Sequence, residues 1–434
     1  MKNRTKHINA ENYEKKKEYA QIFGAIEDLN GNGRKTIAIF CDTYYPIIDG
    51  VIQAVDNEAI CLSKYYNVVV VVPAHEGKPY IDKHYLTIGI KCVYFDFLKY
   101  DCAFPLQDNK LKKLLDALKI DLIQIHSPFN VGAYAVKLAY KRKIPVLGYF
   151  HSQYKQDLFK ATKSKVLTDF LLANIISVYN KCHLVFTMNK FAEKILRSYN
   201  YRGEIKIIRA GIDFNGQNDV TDLVQTLKDT YNIEKDCKVL MFLGRIVQQK
   251  NVFLIVEALE ILNRTYSNFK MFFIGAGPEL NKLKKIVDNS SIKDKVYVVG
   301  KIEEEEKHGF YALSDLFLFP SVYDTEGIVK SEAAYYGTPT IAFLGTGAGA
   351  SIKHGFNGYL CENDVTEFAK SIEYLLRNDD IREEIGENAK NTLFYTWEQS
   401  SNDLKIVYDD FLENFVFEKP KLNKKQPKSK TGYQ

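Results

Sequence analysis

The sequence predicts an α/β chain built as two doubly wound parallel sheets in tandem, and three observations predict it. Short β-rich apolar runs alternate with helical patterns from Thr36 onward. The alternation pauses in a polar stretch near Asn215 and restarts at Lys238. At 434 residues the chain exceeds what one hydrophobic core organises and divides into halves that can each bury their own.

Residues 1–35 are polar and helix-prone and end in the breaker GNGRK, so they are expected to form an N-terminal helical arm. TIAIFC (36–41), the loop DTYYPIIDGV, a helical pattern over 54–65 and the buried-strand run NVVVVVP (67–73) make a βαβ unit. Strands follow at DLIQIH (121–126), PVLGYFH (145–151), HLVFTM (183–188) and IKIIRAG (205–211), with helices expected over 130–142 and 162–179. These complete a first Rossmann-like domain, 36–212. Residues 213–236, with one short helix, read as a linker. The second domain, 237–396, carries the strand runs KVLMFLGR, FKMFFIGAG, KVYVVG, DLFLFPS and TPTIAF. Residues 397–418 are expected to form a helix returning towards the N-terminal domain, and 419–434 a basic disordered tail. In open parallel sheets ligands bind beyond the carboxyl ends of strands, so the residues just after each run are the candidates for a central cleft.

Hydrophobic residues at 46% and charged residues at 26% are those of an ordinary folded soluble chain. The seven cysteines are scattered and never spaced Cys-x-x-Cys, which disfavours structural zinc and a disulfide framework and fits a cytoplasmic protein. The longest aliphatic run, 68–72, is too short to cross a bilayer. Net charge is only +5 but uneven: residues 137–165 hold eight Lys or Arg against Asp157 alone, and 419–430 hold six lysines and no acid. Such patches attract anionic surfaces, a membrane among them; a solvated helix face and a disordered tail are the alternative account. Nucleic acid is disfavoured because no recognition helix, zinc finger or aromatic RNA-binding signature accompanies the charge.

The segment DTEGIVKSE (324–332) follows a strand run and carries carboxylates at both ends, Asp324 and Glu332, around the Gly327 turn. A glycine lets backbone amides approach a ligand, and carboxylates bond hydroxyls, so the pattern suits a sugar nucleotide. Gly50 ends a strand-to-helix loop where amides can face a phosphate, or simply makes a tight turn. Arg245 and Lys250 can neutralise a diphosphate, the first as a fork and the second as a point charge, unless they are plain surface charges. Gly275 and Gly277 in GAGP allow close backbone approach but do not continue as GxGxxG. His126 and His151 each end a strand, without the companions of a hydrolytic triad or the spacing of a zinc site. No Asp-x-Asp pair is present, which makes a poor match to a metal-held donor site.

Taken in order, DTYYPIIDGV, HSPFNVG, HSQY, LGRIVQQK, IGAGPE, SDLFLFPS, DTEGIVKSEAAYYGTPTIA and HGFNGYL make the chain from Thr36 to Phe411 resemble the retaining family 4 glycosyltransferases of the GT-B fold. The resemblance implies two Rossmann-like domains facing a central cleft, the first binding the acceptor and the second the nucleotide sugar. It implies that Gly50 approaches the donor diphosphate or sugar, that His151 bonds a sugar hydroxyl, and that Arg245 and Lys250 stabilise the leaving diphosphate. Gly211, Gly275, Gly277 and Gly327 would line the donor site, the amides of Ile328 and Val329 would add to the anion site, Glu332 would bind ribose, and Asp324 would face the sugar. Asp324 stands where the family normally has Glu, and Ala210 where Asn commonly precedes the glycine.

The expectation is therefore a retaining transferase, without cofactor or metal. It would move a hexose from a nucleoside diphosphate sugar, UDP-sugar favoured, to a membrane lipid or envelope glycan precursor, on the inner face of the cell membrane. FLLANIISVY (170–179) and the basic residues before it motivate the lipid acceptor, although the same stretch reads as core helix. A GT-B epimerase or phosphorylase, and a catalytically silent binding protein, are the alternatives. No convincing acid–base pair supports epimerisation, and charges at strand ends argue against silence.

Overall fold

The computed structural model describes residues 19–45, 50–74, 84–95, 100–212 and 219–422. The chain divides into two compact units, one of 1–188, 193–209 and 397–434, the other of 189–192 and 210–396.

In the first unit a helix over 19–31 precedes β1 (Thr36–Phe40), β2 (Asn67–Ala74), β3 (Leu86–Phe95), β4 (Tyr100–Ala103), β5 (Leu122–Ile125), β6 (Val146–Phe150), β7 (Leu184–Thr187) and β8 (Ile205–Ile207). They form one sheet in the order β4-β3-β2-β1-β5-β6-β7-β8, parallel throughout except for the antiparallel β3–β4 pair. β1, β5, β6 and β7 are buried along their whole length, which is why they read as largely apolar runs, with Gln124 the polar exception inside β5. β3 and β4 were not anticipated. The helix expected over 162–179 is Lys165–Tyr179, and a helix that was not anticipated, Tyr154–Thr162, precedes it. The break falls where Lys163 turns left-handed (φ 52°) and Ser164 caps the second helix by accepting from the Leu167 N–H. Trp397–Asn414 is a helix of this unit and lies against Gly50–Leu62, with Tyr66 donating to Asp409 at 2.5 Å.

In the second unit β9 (Lys238–Leu243), β10 (Phe269–Ile274), β11 (Val296–Gly300), β12 (Leu316–Phe319), β13 (Thr340–Phe343) and β14 (Tyr359–Cys361) form a wholly parallel sheet in the order β11-β10-β9-β12-β13-β14. One core packs Val252–Leu262 and Val365–Arg377 against the sheet around Phe242, Phe273 and Phe343. Residues read as a linker include the helix Thr221–Thr230, and Tyr231 just beyond it stacks edge-on against Phe272 and Tyr297, so this stretch is part of the second unit's packing. Strand order reverses beside β1 and β5 in the first sheet and beside β9 and β12 in the second. At such a point neighbouring connections leave in opposite directions and open a crevice at the carboxyl ends of the strands.

Candidate active site

In the second unit the loops after β9 and β12 meet. Asn251 adopts a left-handed conformation (φ 54°) and its Nδ2 donates to the Pro320 carbonyl at 2.9 Å, tying one loop to the other. This places the single turn Gln248–Lys250 over the motif: Lys250 Nζ donates to both carboxylate oxygens of Asp324 at 2.7 Å and lies 5.0 Å from the centroid of the Phe319 ring. Arg245 is exposed and makes no hydrogen bond or ion pair among the described residues. It lines a cavity of about 370 Å³ with Val247, Gln248, Gln249, Pro278 and Glu279. An unpaired guanidinium at strand ends is a ready anion receptor.

Gly275 and Gly277 bring the loop after β10 to the same cavity. A Cβ on Gly275 (φ 132°) would stand 1.9 Å from the Gly244 carbonyl oxygen, and one on Gly277 would stand 2.2 Å from that of Ile246. Backbone packing therefore accounts for both glycines. Gly327 (φ 74°) turns the motif into the helix Val329–Tyr335, and a Cβ there would lie 2.3 Å from the Phe319 ring. Ile328 and Val329 stand at the open end of that helix, where N–H groups precede the first intrahelical bonds.

Glu332 is buried and accepts from Lys307 Nζ at 2.9 Å and the Tyr311 hydroxyl at 2.8 Å. Burial opposes the charge on Lys307, but Glu332 and Glu304 more than offset it and its pKa is raised. Burial, then Glu332, pushes the Tyr311 hydroxyl well above its ordinary range, so it remains a donor. Inside the motif Lys330 is fully buried; its Nζ bonds the Glu326 carboxylate at 3.0 Å and the Ala348 carbonyl at 3.1 Å, while Ser351 donates to Glu326 at 2.8 Å. The two charged residues interrupting the motif thus fasten it to the loop after β13. Lys307, Tyr311 and the Glu326–Lys330 pair escaped the sequence reading. Only the spacing of Lys330 four residues after Glu326 offered a signal. Gly211 is buried beside Ile212, whose N–H donates to the Tyr395 carbonyl at 2.9 Å; among the described residues Gly211 makes no hydrogen bond to the Arg245, Lys250 and Asp324 group.

In the first unit Gly50 opens the exposed end of Gly50–Leu62, and a Cβ there would meet nothing within 4 Å. Packing places no demand for glycine at that position. His151, just past β6, is buried, with Nε2 3.0 Å from Nδ1 of His126, and its ring stacks on Tyr149 at 4.3 Å. Burial, then His126, lowers the His151 pKa well below its ordinary value. The two strand-end histidines are therefore one group. At the same sheet end Asp42 receives the N–H groups of Val131 (2.7 Å), Phe129 and Gly132 (3.2 Å) and the Ser127 hydroxyl (2.8 Å), closing the start of Asn130–Arg142 with an internal carboxylate.

The helix pair beyond His151 has two apolar faces. Thr168, Leu172, Ile175, Ile176 and Tyr179 are buried, while Val166 (82% exposed), Phe170 (62%), Leu167 and Phe159 face outward among exposed Lys155, Lys160, Lys163 and Lys165. The stretch 170–179 is thus core on one face only. Among the described residues no helix is long and apolar enough to cross a membrane.

Two family models match the chain: Glycosyltransferase Family 4 over residues 48–215 and Glycosyl transferases group 1 over 224–392. The alpha-monoglucosyldiacylglycerol synthase of Acholeplasma laidlawii is 27% identical over 404 residues, covering 90% of this chain and 100% of the relative. The N-acetyl-alpha-D-glucosaminyl L-malate synthase of Bacillus anthracis is 26% identical over 348 residues, covering 77% and 86%. Among solved structures, Anabaena HepE in complex with UDP superposes with a TM-score of 0.70 at 15% identity, covering 86% of this chain and all of that one (100%).

Proposed function

Because this chain belongs to the group 1, family 4 glycosyltransferases of the GT-B fold, we propose that it is a retaining enzyme that moves a hexose from a UDP-sugar to the hydroxyl of a membrane lipid. The observation that carries the acceptor is the exposure of Val166 and Phe170 on a helix pair that also exposes Lys155, Lys160, Lys163 and Lys165. Apolar side chains enter the acyl boundary while lysines meet anionic head groups. A peripheral site on the inner membrane face follows, and the relative named for a diacylglycerol product fits it.

In this reading Arg245 and Lys250 take the diphosphate, joined by the amides of Ile328 and Val329, and no metal is required. Lys250 exchanges Asp324 for the phosphate, which frees the Asp324 carboxylate for sugar hydroxyls. Glu332, oriented by Lys307 and Tyr311, accepts from ribose. From the first unit the reading uses Gly50 as a point of close approach and His151 as a partner for a sugar hydroxyl. The C1–O bond to phosphate breaks with its electron pair on the diphosphate. The acceptor oxygen then attacks from the same face and gives its proton to a phosphate oxygen, so no protein nucleophile is needed.

A second reading has a specific observation behind it, the relative named for a malate product: a small soluble hydroxy acid as acceptor. Transfer from UDP-glucose to diacylglycerol in mixed micelles, beside transfer to free hydroxy acids, separates the two. Retention is checked by the anomeric coupling constant of the product. Turnover on hydroxy acids alone, with no sedimentation on anionic vesicles, would sink the lipid reading.

A further inference from the structure

Behind His151 a line of buried polar side chains runs through the first unit. The Tyr408 hydroxyl donates to Gln124 Oε1, and Gln124 Nε2 donates to Glu58 Oε2 at 3.0 Å and lies 2.6 Å from His126 Nε2. His126 Nδ1 is 3.0 Å from His151 Nε2. Glu58, Gln124, His126 and Tyr408 are all buried, and Glu58 Oε1 has no hydrogen-bond partner among the described residues. A buried carboxylate with an unsatisfied oxygen is costly, and packing alone gives no reason to keep it.

The donor directions in this line follow from taking Glu58 as the ionised carboxylate, the premise on which the assignment rests. A carboxylate only accepts, so Gln124 must turn its NH2 towards Glu58 and its carbonyl oxygen towards Tyr408, which donates there. The second hydrogen of that NH2 meets His126 Nε2 at 2.6 Å, where two N–H groups cannot face each other, so His126 Nε2 is an acceptor. Its 3.3 Å approach to Glu58 Oε2 is then a contact between two acceptors rather than an ion pair. The proton of a neutral His126 therefore sits on Nδ1 and is donated to His151 Nε2.

We propose that Glu58, Gln124, His126 and Tyr408 are positioning residues that hold His151 as the neutral Nδ1–H tautomer, so that it acts as a hydrogen-bond donor in glycosyl transfer. The role in transfer rests on the reading of His151 given above; the tautomer does not.

The test is nitrogen-15 NMR of the full chain labelled at histidine, with steady-state kinetics on UDP-glucose. In the wild type both His126 and His151 should show a protonated Nδ1 and a bare Nε2. In Gln124→Leu the nearest polar partner of His126 Nε2 becomes Glu58, so its proton moves there and His151 changes to Nε2–H. kcat/KM on UDP-glucose should fall about 10- to 100-fold, the cost of leaving one buried hydrogen bond to the donor sugar unmade. Tyr408→Phe, which removes only the far hydroxyl, should give a mixture of tautomers and covers the case that Gln124→Leu does not fold. An Nε2–H His151 in the wild type, an imidazolium at His126, or a His151 tautomer indifferent to both variants would overturn the proposal; unchanged kcat/KM in a variant whose tautomer had moved would overturn the positioning role. A wild type with the inferred tautomer but no transfer from any UDP-sugar would fault the donor reading and leave the tautomer assignment standing.

Discussion

Replacing Lys250 by methionine removes a charge while keeping most of the side chain's volume, and the structure supplies the scale of the effect. Nζ lies 2.7 Å from both Asp324 oxygens, with 14% and 19% of the two side chains exposed. At an effective dielectric of about 20 the gross attraction is roughly 6 kcal/mol, most of it cancelled by desolvation. The net cost lies between the ~0.2–1 kcal/mol of an exposed pair and the ~3–5 kcal/mol of breaking a fully buried one, and this partial burial puts it near ~2 kcal/mol. If Lys250 also meets the leaving diphosphate, its loss should cost a further ~2.7–4 kcal/mol in the transition state, about 10²–10³ in kcat/KM. Asp324→Asn separates the two effects because it breaks the ion pair but keeps the ammonium. Urea denaturation and steady-state kinetics on both single variants and the double complete the cycle. Stability should show coupling of ~2 kcal/mol, and Lys250→Met should lose turnover far beyond what that stability loss can cause. A Lys250→Met enzyme destabilised by that amount yet within threefold of normal kcat/KM would mean that Lys250 serves only to hold Asp324.

Gly327→Ala should cost ~2–5 kcal/mol in urea unfolding, adding ~1–2 for a left-handed non-glycine residue to ~1–3 for overpacking against Phe319, and Phe319→Leu should recover part of it. His151 has a folded pKa below its unfolded value of about 6.5, so its contribution to stability is complete above that pH and is lost as pH falls towards the folded value. Denaturation midpoints between pH 7 and 5 should therefore decline less in His151→Gln than in the wild type. Asp42 has the opposite sign: burial raises its carboxyl to about 6, so its contribution is present at low pH and is lost as pH rises from the ordinary carboxylate range through that value, and Asp42→Asn should remove this loss. Val166→Ser with Phe170→Ser should weaken sedimentation on anionic vesicles by about 10²-fold, roughly a factor of ten per apolar side chain withdrawn, with the melting temperature unchanged because both side chains are exposed.

The strands around each switch point were legible because they are buried on both faces: TIAIF and LFLF need no pattern beyond near-continuous apolar character, and LIQI departs from it only at Gln124. β3, with Gly89 and Lys91 inside it, and the three-residue β14 lack that signal. The start of Lys165–Tyr179, capped by Ser164, was read to within three residues, whereas Tyr154–Thr162 buries Tyr154 alone and offers no apolar stripe to read. Motif residues announced themselves by type and order. Their partners did not: Lys307 and Tyr311 reach Glu332 across 25 and 21 positions, and the line from Glu58 to Tyr408 joins the two ends of the first unit. Such pairings exist only after the sheet has closed, and no local spacing encodes them.

The helix Trp397–Asn414 belongs to the first unit although the second unit's residues 210–396 precede it in the chain. During synthesis the second sheet is therefore complete while the first still lacks the helix that covers Gly50–Leu62 and brings Tyr408 to Gln124. Folding of the two units as they emerge from the ribosome should finish in the reverse of their order of synthesis, because the N-terminal unit has to wait for the last helix. A nascent chain stalled before Trp397 should protect the second unit from protease and leave the first open to it.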